Sequence, residues 1–244
     1  MHKLIKSTMI AMTLPAIAIT LPMTAQAEDV CEFNESRSGL VGCYHSQISS
    51  AEAFLNAVVK RGKWSDRSQG AVILDVRSTP EYKAGHPEGS YNVPSPFIYQ
   101  YCNDVGDPGP QDDRQPDGAC KSGGDRIAQT QEDFVRYVES IVPDKDTPIY
   151  TMCRTGVRSV GAANFLKEAG YTHVRNMWEG FVGIYLQAPN QGPNGEPGPL
   201  DVNHDTLLND EDKNGWRYYQ RLPYQTRLLP HLIYADRVDT YYLD

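Results

Sequence analysis

The chain has 244 residues, a formal net charge of −8 at pH 7 and an apolar fraction of 40%. This length suits one domain of ordinary size with an extension. The acidic balance disfavours nucleic acid as a partner, because phosphate backbones are bound through clustered Lys and Arg. Beyond the N-terminal stretch, no segment is apolar enough to predict a bilayer-spanning helix.

The N-terminus is typical of a secretory signal peptide over residues 1–27. Lys3 and Lys6 precede an apolar run, and Ala25 and Ala27 provide a small-residue cleavage pattern. The run is short and contains two prolines, which favours cleavage over a retained anchor. Cleavage removes two lysines and takes the formal charge from −8 to −10. We therefore expect an exported protein, periplasmic or secreted, with no stable membrane insertion after cleavage.

Four of the five cysteines indicate a disulfide framework, because neighbouring thiols usually pair in an oxidising compartment. With Cys153 set aside, Cys31, Cys43, Cys102 and Cys120 allow three connectivities. The local pairing, Cys31 with Cys43 and Cys102 with Cys120, is favoured since it closes the shortest loops. The cysteine spacings are too wide for a typical zinc site.

Strand and helix patterns alternate after an N-terminal arm at residues 28–45. The predicted elements are a helix at 51–59, a strand at 71–74 extended by 75–77, a turn or short helix at 80–82, a strand at 91–94, a helix at 131–142, a strand at 148–152, a helix at 159–169 and a strand at 172–174. This alternation predicts an α/β fold with a mainly parallel sheet and helices on both faces. Residues 95–125, rich in Asp, Gly and Pro, are interpreted as a surface insertion.

The six residues CRTGVR, at 153–158, lie between a predicted strand and a predicted helix. Backbone N–H groups converge on such a loop and the helix N-terminus is positive, so the loop binds anions and lowers the pKa of a thiol. The thiolate is the nucleophilic form of cysteine. A buried structural cysteine seldom has two arginines and a glycine beside it, so we interpret Cys153 as a reactive nucleophile.

Two segments of the chain resemble the rhodanese family of sulfurtransferases. They are LDVRSTPEYKAGHPEGSYNVP at 74–94 and the active-loop segment that runs from Cys153 to Gly180. The resemblance implies a rhodanese-like domain at residues 46–187, interrupted by the insertion at 95–125. Pro87 and Glu179 stand where the family more often has an aliphatic residue and a glycine.

The resemblance also implies the chemistry and the residues that carry it. Sulfane sulfur would pass from a small anionic donor such as thiosulfate, through a persulfide on Cys153, to a thiol or cyanide acceptor, with no external cofactor. The backbone N–H groups that would cradle the persulfide belong to Arg154, Thr155, Gly156, Val157 and Arg158. Arg154 and Arg158 would bind the donor's oxygens, because guanidinium matches an oxyanion bidentately.

Other roles and functions stay open at this point. Arg77 is predicted as a further substrate-binding residue, and its role is divided between tuning Cys153 and a structural pair with Asp75. His86 is expected to make local hydrogen bonds in a turn. A non-catalytic binding module with the same fold is one alternative function. Phosphatase or arsenate reductase chemistry is disfavoured, because only four residues separate Cys153 from Arg158 and a phosphate cradle has five.

Residues 188–244 comprise a Pro- and Gly-rich linker, an acidic motif and a tyrosine-rich tail. The motif at 201–212 resembles an EF-hand or dockerin-like calcium loop. Its oxygen ligands would come from Asp201, Asn203, Asp205, the carbonyl of Leu207, Asn209 and Asp212. Thr206 replaces the usual glycine, so a weak structural calcium site and a solvated acidic loop remain alternatives. We expect the tail tyrosines to pack against the domain.

Overall fold

A five-stranded, all-parallel sheet forms the centre of this computed structural model, which describes residues 34–35, 40–60, 70–100, 126–190 and 192–234. In spatial order, the strands are β3 (Ser46–Ile48), β10 (Val174–Met177), β9 (Ile149–Met152), β4 (Val72–Asp75) and β6 (Tyr91–Asn92). The register pairs Asp75 with both Met152 and Asn92. The α/β fold with a mainly parallel sheet is therefore confirmed.

Helices cover both faces of this sheet. They are α1 (Ser50–Phe54), which continues as a π-helix over Leu55–Val59, α2 (Thr79–Lys83), α3 (Gln131–Ile141) and α4 (Arg158–Glu168). Leu74 packs with Phe134 and Leu166 on one face, whereas Ile73 packs with Ala53 on the other. Burial of each large apolar side chain contributes about 1.5–3 kcal/mol, so both layers stabilise the sheet. None of the helices in the described ranges is both long and apolar enough to cross a membrane.

Local sequence signals set the helix starts. The side chains of Ser49 and Thr130 each accept a hydrogen bond from an amide in the first turn of α1 and α3, both at 3.1 Å. Ser78, before α2, donates to Glu81 from its amide at 3.0 Å and from its hydroxyl at 2.9 Å. These bonds satisfy polar groups that the first helical turn leaves unpaired.

Short antiparallel pairs surround the sheet. They are β1 (Asn34–Glu35) with β2 (Val41–Gly42), β5 (His86–Pro87) with β13 (Tyr224–Gln225), β7 (Phe97–Gln100) with β8 (Arg126–Ala128), and β11 (Gln187–Ala188) with β12 (Gly198–Pro199). Strand β7 lies in the interval 95–125, for which the sequence predicts only an insertion. The strand predicted at 172–174 instead begins at Val174, because its pairing with β3 and β9 extends toward Met177.

The C-terminal segment packs on the domain. It contains 3₁₀ turns at Asp210–Asp212 and Pro230–Leu232. Tyr234 is buried, but Tyr219 and Tyr224 are 50% and 43% exposed. Tyr224 nevertheless packs edge-on against the buried ring of Phe181. The packing predicted for the tail tyrosines therefore holds for Tyr224 and Tyr234, whereas Tyr241 and Tyr242 lie outside the described residues.

Candidate active site

Cys153 directly follows β9 at the C-terminal edge of the parallel sheet and precedes α4. Asp75 and Asn92 end the neighbouring strands β4 and β6 at the same edge. Ligands of open parallel sheets bind at this edge, since the strands end there and the helices present their N-termini. The fold thus places the thiol where a site is expected.

The thiol of Cys153 is free and only 1% exposed. The hydroxyl of Ser159, in the first turn of α4, donates a hydrogen bond to its sulfur at 3.4 Å. Ser159 is itself fully buried. Ser159 is not among the site residues predicted from the sequence. The sequence feature that could have identified Ser159 is its hydroxyl six positions after the cysteine. At that distance the first helical turn faces back toward the end of the strand.

Two tight turns of the site pack directly against each other. We name residues 153–158 the active loop and residues 178–183 the support turn. At Gly156, φ is +82°, and an added Cβ would overlap the carbonyl oxygen of Trp178. At Gly180, φ is +74°, and an added Cβ would lie 2.6 Å from the carbonyl oxygen of Arg154. Glycine permits both the backbone conformation and the close approach.

Backbone hydrogen bonds fasten the active loop to the support turn. The amide of Phe181 donates to the carbonyl of Cys153 at 2.8 Å. The amides of Val182 and Gly183 both donate to the carbonyl of Arg154, at 2.9 and 3.0 Å. Glu179, the departure from the family pattern, accepts a hydrogen bond from the amide of Ser50 at 2.6 Å. It therefore ties the support turn to the start of α1.

The cradle of amide groups predicted for the persulfide includes those of Gly156 and Val157. Among the described residues, nothing accepts a hydrogen bond from the amide of Gly156 or that of Val157. The carbonyl of Gly156 accepts from the side chain of Asn176 at 3.2 Å, which holds the peptide in place. Val157 is also the exposed apolar position of the loop, at 38%. These two amides remain available to an anion.

Arg158 occupies a different position from the one expected of an oxyanion-binding group. Its guanidinium donates to both carboxylate oxygens of Glu81, at 2.7 and 2.6 Å. Burial alone would raise the pKa of Glu81, but the charge and hydrogen bonds of Arg158, with smaller contributions from Arg77 and Ser78, lower that pKa to about 2. The bidentate pair directs the guanidinium of Arg158 at Glu81, so Arg158 holds the end of the active loop against α2 and does not point at a substrate site.

Arg77 is similarly engaged. Its guanidinium binds Asp75, with a shortest distance of 2.6 Å, and donates to the carbonyl of Gly85, also at 2.6 Å. It also lies over the ring of Phe181, 4.0 Å from the centroid. Arg77 is 2% exposed. This geometry favours a structural role for Arg77 over the substrate-binding role predicted for it.

His86 makes the local contacts expected of it. Its ring stacks on Tyr82 at 3.6 Å, and Nδ1 donates to the carbonyl of Tyr82 at 2.9 Å. Burial lowers the pKa of His86 and holds the ring neutral, although Asp75 opposes this effect. His86 therefore serves the fold of the 74–94 segment.

The acidic motif at 201–212 forms a loop closed by its own hydrogen bonds. Asp201 accepts from the amide of Thr206 at 2.8 Å, and Asp205 accepts from that of Leu207 at 2.7 Å. Asp212 accepts from the amides of Val202 and Asn209, and Asn209 accepts from the amide of Glu211. Within the described ranges, no three His, Cys, Asp or Glu side chains lie close enough together to hold a metal ion. The calcium set predicted at Asp201, Asn203, Asp205, Leu207, Asn209 and Asp212 therefore gains no support, because its carboxylates are directed at amides.

Cys43 is disulfide-bonded. Cys31, Cys102 and Cys120 lie outside the described residues, so the two predicted pairings stay predictions. The only described cysteine that is free is Cys153.

Comparisons with known proteins match the region that contains this site. A family model described as a rhodanese-like domain matches residues 55–187. Thiosulfate sulfurtransferase GlpE of Haemophilus influenzae is 26% identical over 120 residues, which cover 49% of this chain and 78% of that protein. Thiosulfate sulfurtransferase 18 of Arabidopsis thaliana is 28% identical over 137 residues, covering 56% and 82%. The solved rhodanese-like domain of a protein from Anabaena is 18% identical, covers 67% of this chain and 86% of that chain, and has a TM-score of 0.34.

Proposed function

Because the chain belongs to the rhodanese-like family, we propose that it is a sulfurtransferase that carries sulfane sulfur on Cys153. The donor is a small anion such as thiosulfate, and the acceptor is a thiol or cyanide. The observation that carries this proposal is the free Cys153 thiol at the sheet's C-terminal edge, beside two amides with no described acceptor. Two relatives that are named thiosulfate sulfurtransferases add support.

The reaction is a double displacement. The Cys153 thiolate attacks the outer sulfur of thiosulfate, the sulfur–sulfur bond breaks, and sulfite leaves with the electron pair. A persulfide remains on Cys153. The acceptor's nucleophilic atom then attacks the terminal sulfur, which restores the thiolate. Covalent catalysis of this kind divides one transfer into two easier steps, and it needs no external oxidant or reductant.

Three groups stabilise the charge on sulfur in this scheme. The amides of Gly156 and Val157 supply fixed donors, and the N-terminus of α4 supplies a positive end. The hydroxyl of Ser159 donates a hydrogen bond to the Cys153 sulfur, which orients the sulfur and stabilises negative charge on it during the transfer. Fixed donors act strongly in a site that excludes water, because they need not reorganise during the reaction.

We assign the donor's oxyanion to Arg154, a half-buried arginine that directly follows Cys153, because a guanidinium matches an oxyanion bidentately. Arg77 binds Asp75 and Arg158 binds Glu81. The near-complete burial of Cys153 favours small donors over bulky ones, because little of the residue contacts solvent.

The test is intact-mass spectrometry before and after treatment with thiosulfate. The wild-type chain should gain the mass of one sulfur atom and lose it to cyanide with release of thiocyanate. Cys153→Ser should gain nothing. A wild-type chain that gains no sulfur, or a Cys153→Ser variant that gains as much, would overturn the proposal.

We also propose that the protein acts in an exported, oxidising compartment. The disulfide bond at Cys43 supports this location, since such bonds persist where thiols are not kept reduced. Cell fractionation with non-reducing peptide mapping tests it. A fully reduced Cys43 in the chain isolated from cells would contradict it.

A further inference from the structure

We propose that residues 214–217, which lie beyond the region matched by the family model, position Cys153 for its reaction. We name these residues the tail turn. They contact the support turn on the side opposite to the active loop, so the site is built from three stacked turns rather than two. The part of this proposal that concerns sulfur loading rests on the proposed sulfurtransferase function.

The peptide unit between Gly180 and Phe181 links the tail turn to the cysteine. Its N–H group, from Phe181, donates to the carbonyl of Cys153 at 2.8 Å, and its carbonyl, from Gly180, accepts from the amide of Trp216 at 3.0 Å. Two hydrogen bonds through one planar peptide therefore connect Trp216 to Cys153. In the next peptide unit, the carbonyl of Phe181 accepts from the amide of Arg217 at 2.9 Å.

Asn214 fixes the end of the support turn. Its amide donates to the carbonyl of Ile184 at 2.9 Å, and its side-chain oxygen accepts from the amide of Ile184 at 3.0 Å. Asn214 is only 5% exposed, so these bonds are sheltered from water. The reciprocal pair sets where the chain leaves the support turn.

The tail turn and the support turn are closely packed against each other. A Cβ at Gly215 would overlap the carbonyl group of Val182. Trp216 is fully buried in the cluster that contains Phe181 and Val182, and its indole donates to the carbonyl of Pro223 at 2.9 Å. Close-packed backbone transmits displacement because it has no void to absorb it. A shift of the tail turn therefore moves Phe181 and, through it, the carbonyl of Cys153.

The experiment uses three tail-turn variants of the full chain: Asn214→Ala, Trp216→Phe and Trp216→Ala. Tyr171→Phe is the control, because it keeps the ring and removes a buried hydrogen bond from Tyr171 to the carbonyl of Val142, at 2.6 Å, between residues that belong to none of the three turns. Two rates are measured well below each melting temperature. They are sulfur loading from thiosulfate and alkylation of Cys153 by iodoacetamide.

We expect Asn214→Ala to slow sulfur loading about tenfold, since small misplacements of a reacting group are costly. Trp216→Phe should slow sulfur loading less than Asn214→Ala does. Tyr171→Phe should change the loading rate less than about twofold, even if it lowers the melting temperature as much as Asn214→Ala does. Alkylation of Cys153 should change in the tail-turn variants and not in the control.

Equal loading and alkylation rates in Asn214→Ala, Trp216→Phe and Tyr171→Phe would overturn the proposal. If Trp216→Ala fails to fold, the other two variants decide. If the wild-type chain gains no sulfur, the proposed function fails, and the alkylation rates alone then decide the role of the tail turn.

Discussion

Both carboxylate oxygens of Glu81 bind the guanidinium of Arg158, although the two residues are 77 positions apart. Glu81 lies in α2 and Arg158 begins α4, so this ion pair joins two helices at the C-terminal edge of the sheet. The side chain of Glu81 is 1% exposed and that of Arg158 is 23% exposed. The pair therefore fixes the far end of the active loop.

Glu81→Gln should lower the free energy of unfolding by about 3 kcal/mol at pH 7, because it leaves the guanidinium without its charge partner. The pKa of Glu81 is about 2 in the folded chain against an ordinary 4.5, so the unfolded state binds more protons between these values. The stabilisation is complete above pH 4.5 and declines as pH falls toward 2. Urea denaturation at several pH values measures the difference between the variant and wild type.

The control for this prediction is Glu52→Gln, which removes a surface pair with Arg175. An exposed pair of this kind contributes about 0–1 kcal/mol, so the free energy of unfolding of Glu52→Gln should stay close to that of wild type. A difference between Glu81→Gln and wild type that stays constant from pH 7 to pH 3 would contradict the role assigned to the pair.

Ser159→Ala should slow sulfur loading on the order of tenfold, which corresponds to ~1.4 kcal/mol. It removes the hydroxyl that donates to the Cys153 sulfur while keeping the helix intact. Single-turnover loading from thiosulfate, followed by mass, measures the effect. Ser140→Ala is the matched control, because its hydroxyl bonds the carbonyl of Tyr137 on an exposed surface. Equal loading by both variants would rule out a role for the Ser159 hydroxyl.

Gly156→Ala should abolish most sulfur loading and lower the melting temperature. The added methyl group overlaps the carbonyl of Trp178, and φ of +82° strains any residue with a Cβ. Gly161→Ala, in α4, is the control: nothing lies within 4 Å of its new Cβ, and alanine should stabilise the helix by about 0.5–1 kcal/mol. Thermal unfolding and loading assays compare the two. A Gly156→Ala variant as active as Gly161→Ala would show that the close approach is not needed.

His86 should make stability depend on pH in the mildly acidic range. Burial lowers the pKa of His86, so the folded chain holds the ring neutral while the unfolded chain binds a proton near pH 6.5. The stabilisation is present above that pH and is lost as pH falls through it toward the lower folded pKa. Asp75 and Arg77 are the charged groups whose fields act on His86.

His86→Asn should reduce this dependence, because the asparagine amide can still donate to the carbonyl of Tyr82 but does not titrate. Denaturation midpoints between pH 7 and pH 5 measure it. The same change of denaturation midpoint with pH in wild type and His86→Asn would refute the prediction.

Several elements follow from local pattern alone. The helix predicted at 131–142 lies at Gln131–Ile141, and the strand predicted at 148–152 lies at Ile149–Met152. Strand β3, Ser46–Ile48, is missed because three residues carry no periodic signal, and its pairing with β10 supplies the reason it is extended. The same pairing explains why β10 continues to Met177, past the predicted end.

The amino-acid sequence by itself determined the family motifs, the alternation of strands and helices and the position of Cys153 between β9 and α4. These features depend on neighbours along the chain, which hydrophobic periodicity and turn residues report directly. Only the tertiary structure decided the partners of Arg158 and Arg77, the bond from Ser159 to sulfur and the contact of Trp216 with the support turn. Such contacts join residues that are far apart along the chain or depend on how a turn folds back, and local pattern does not encode them.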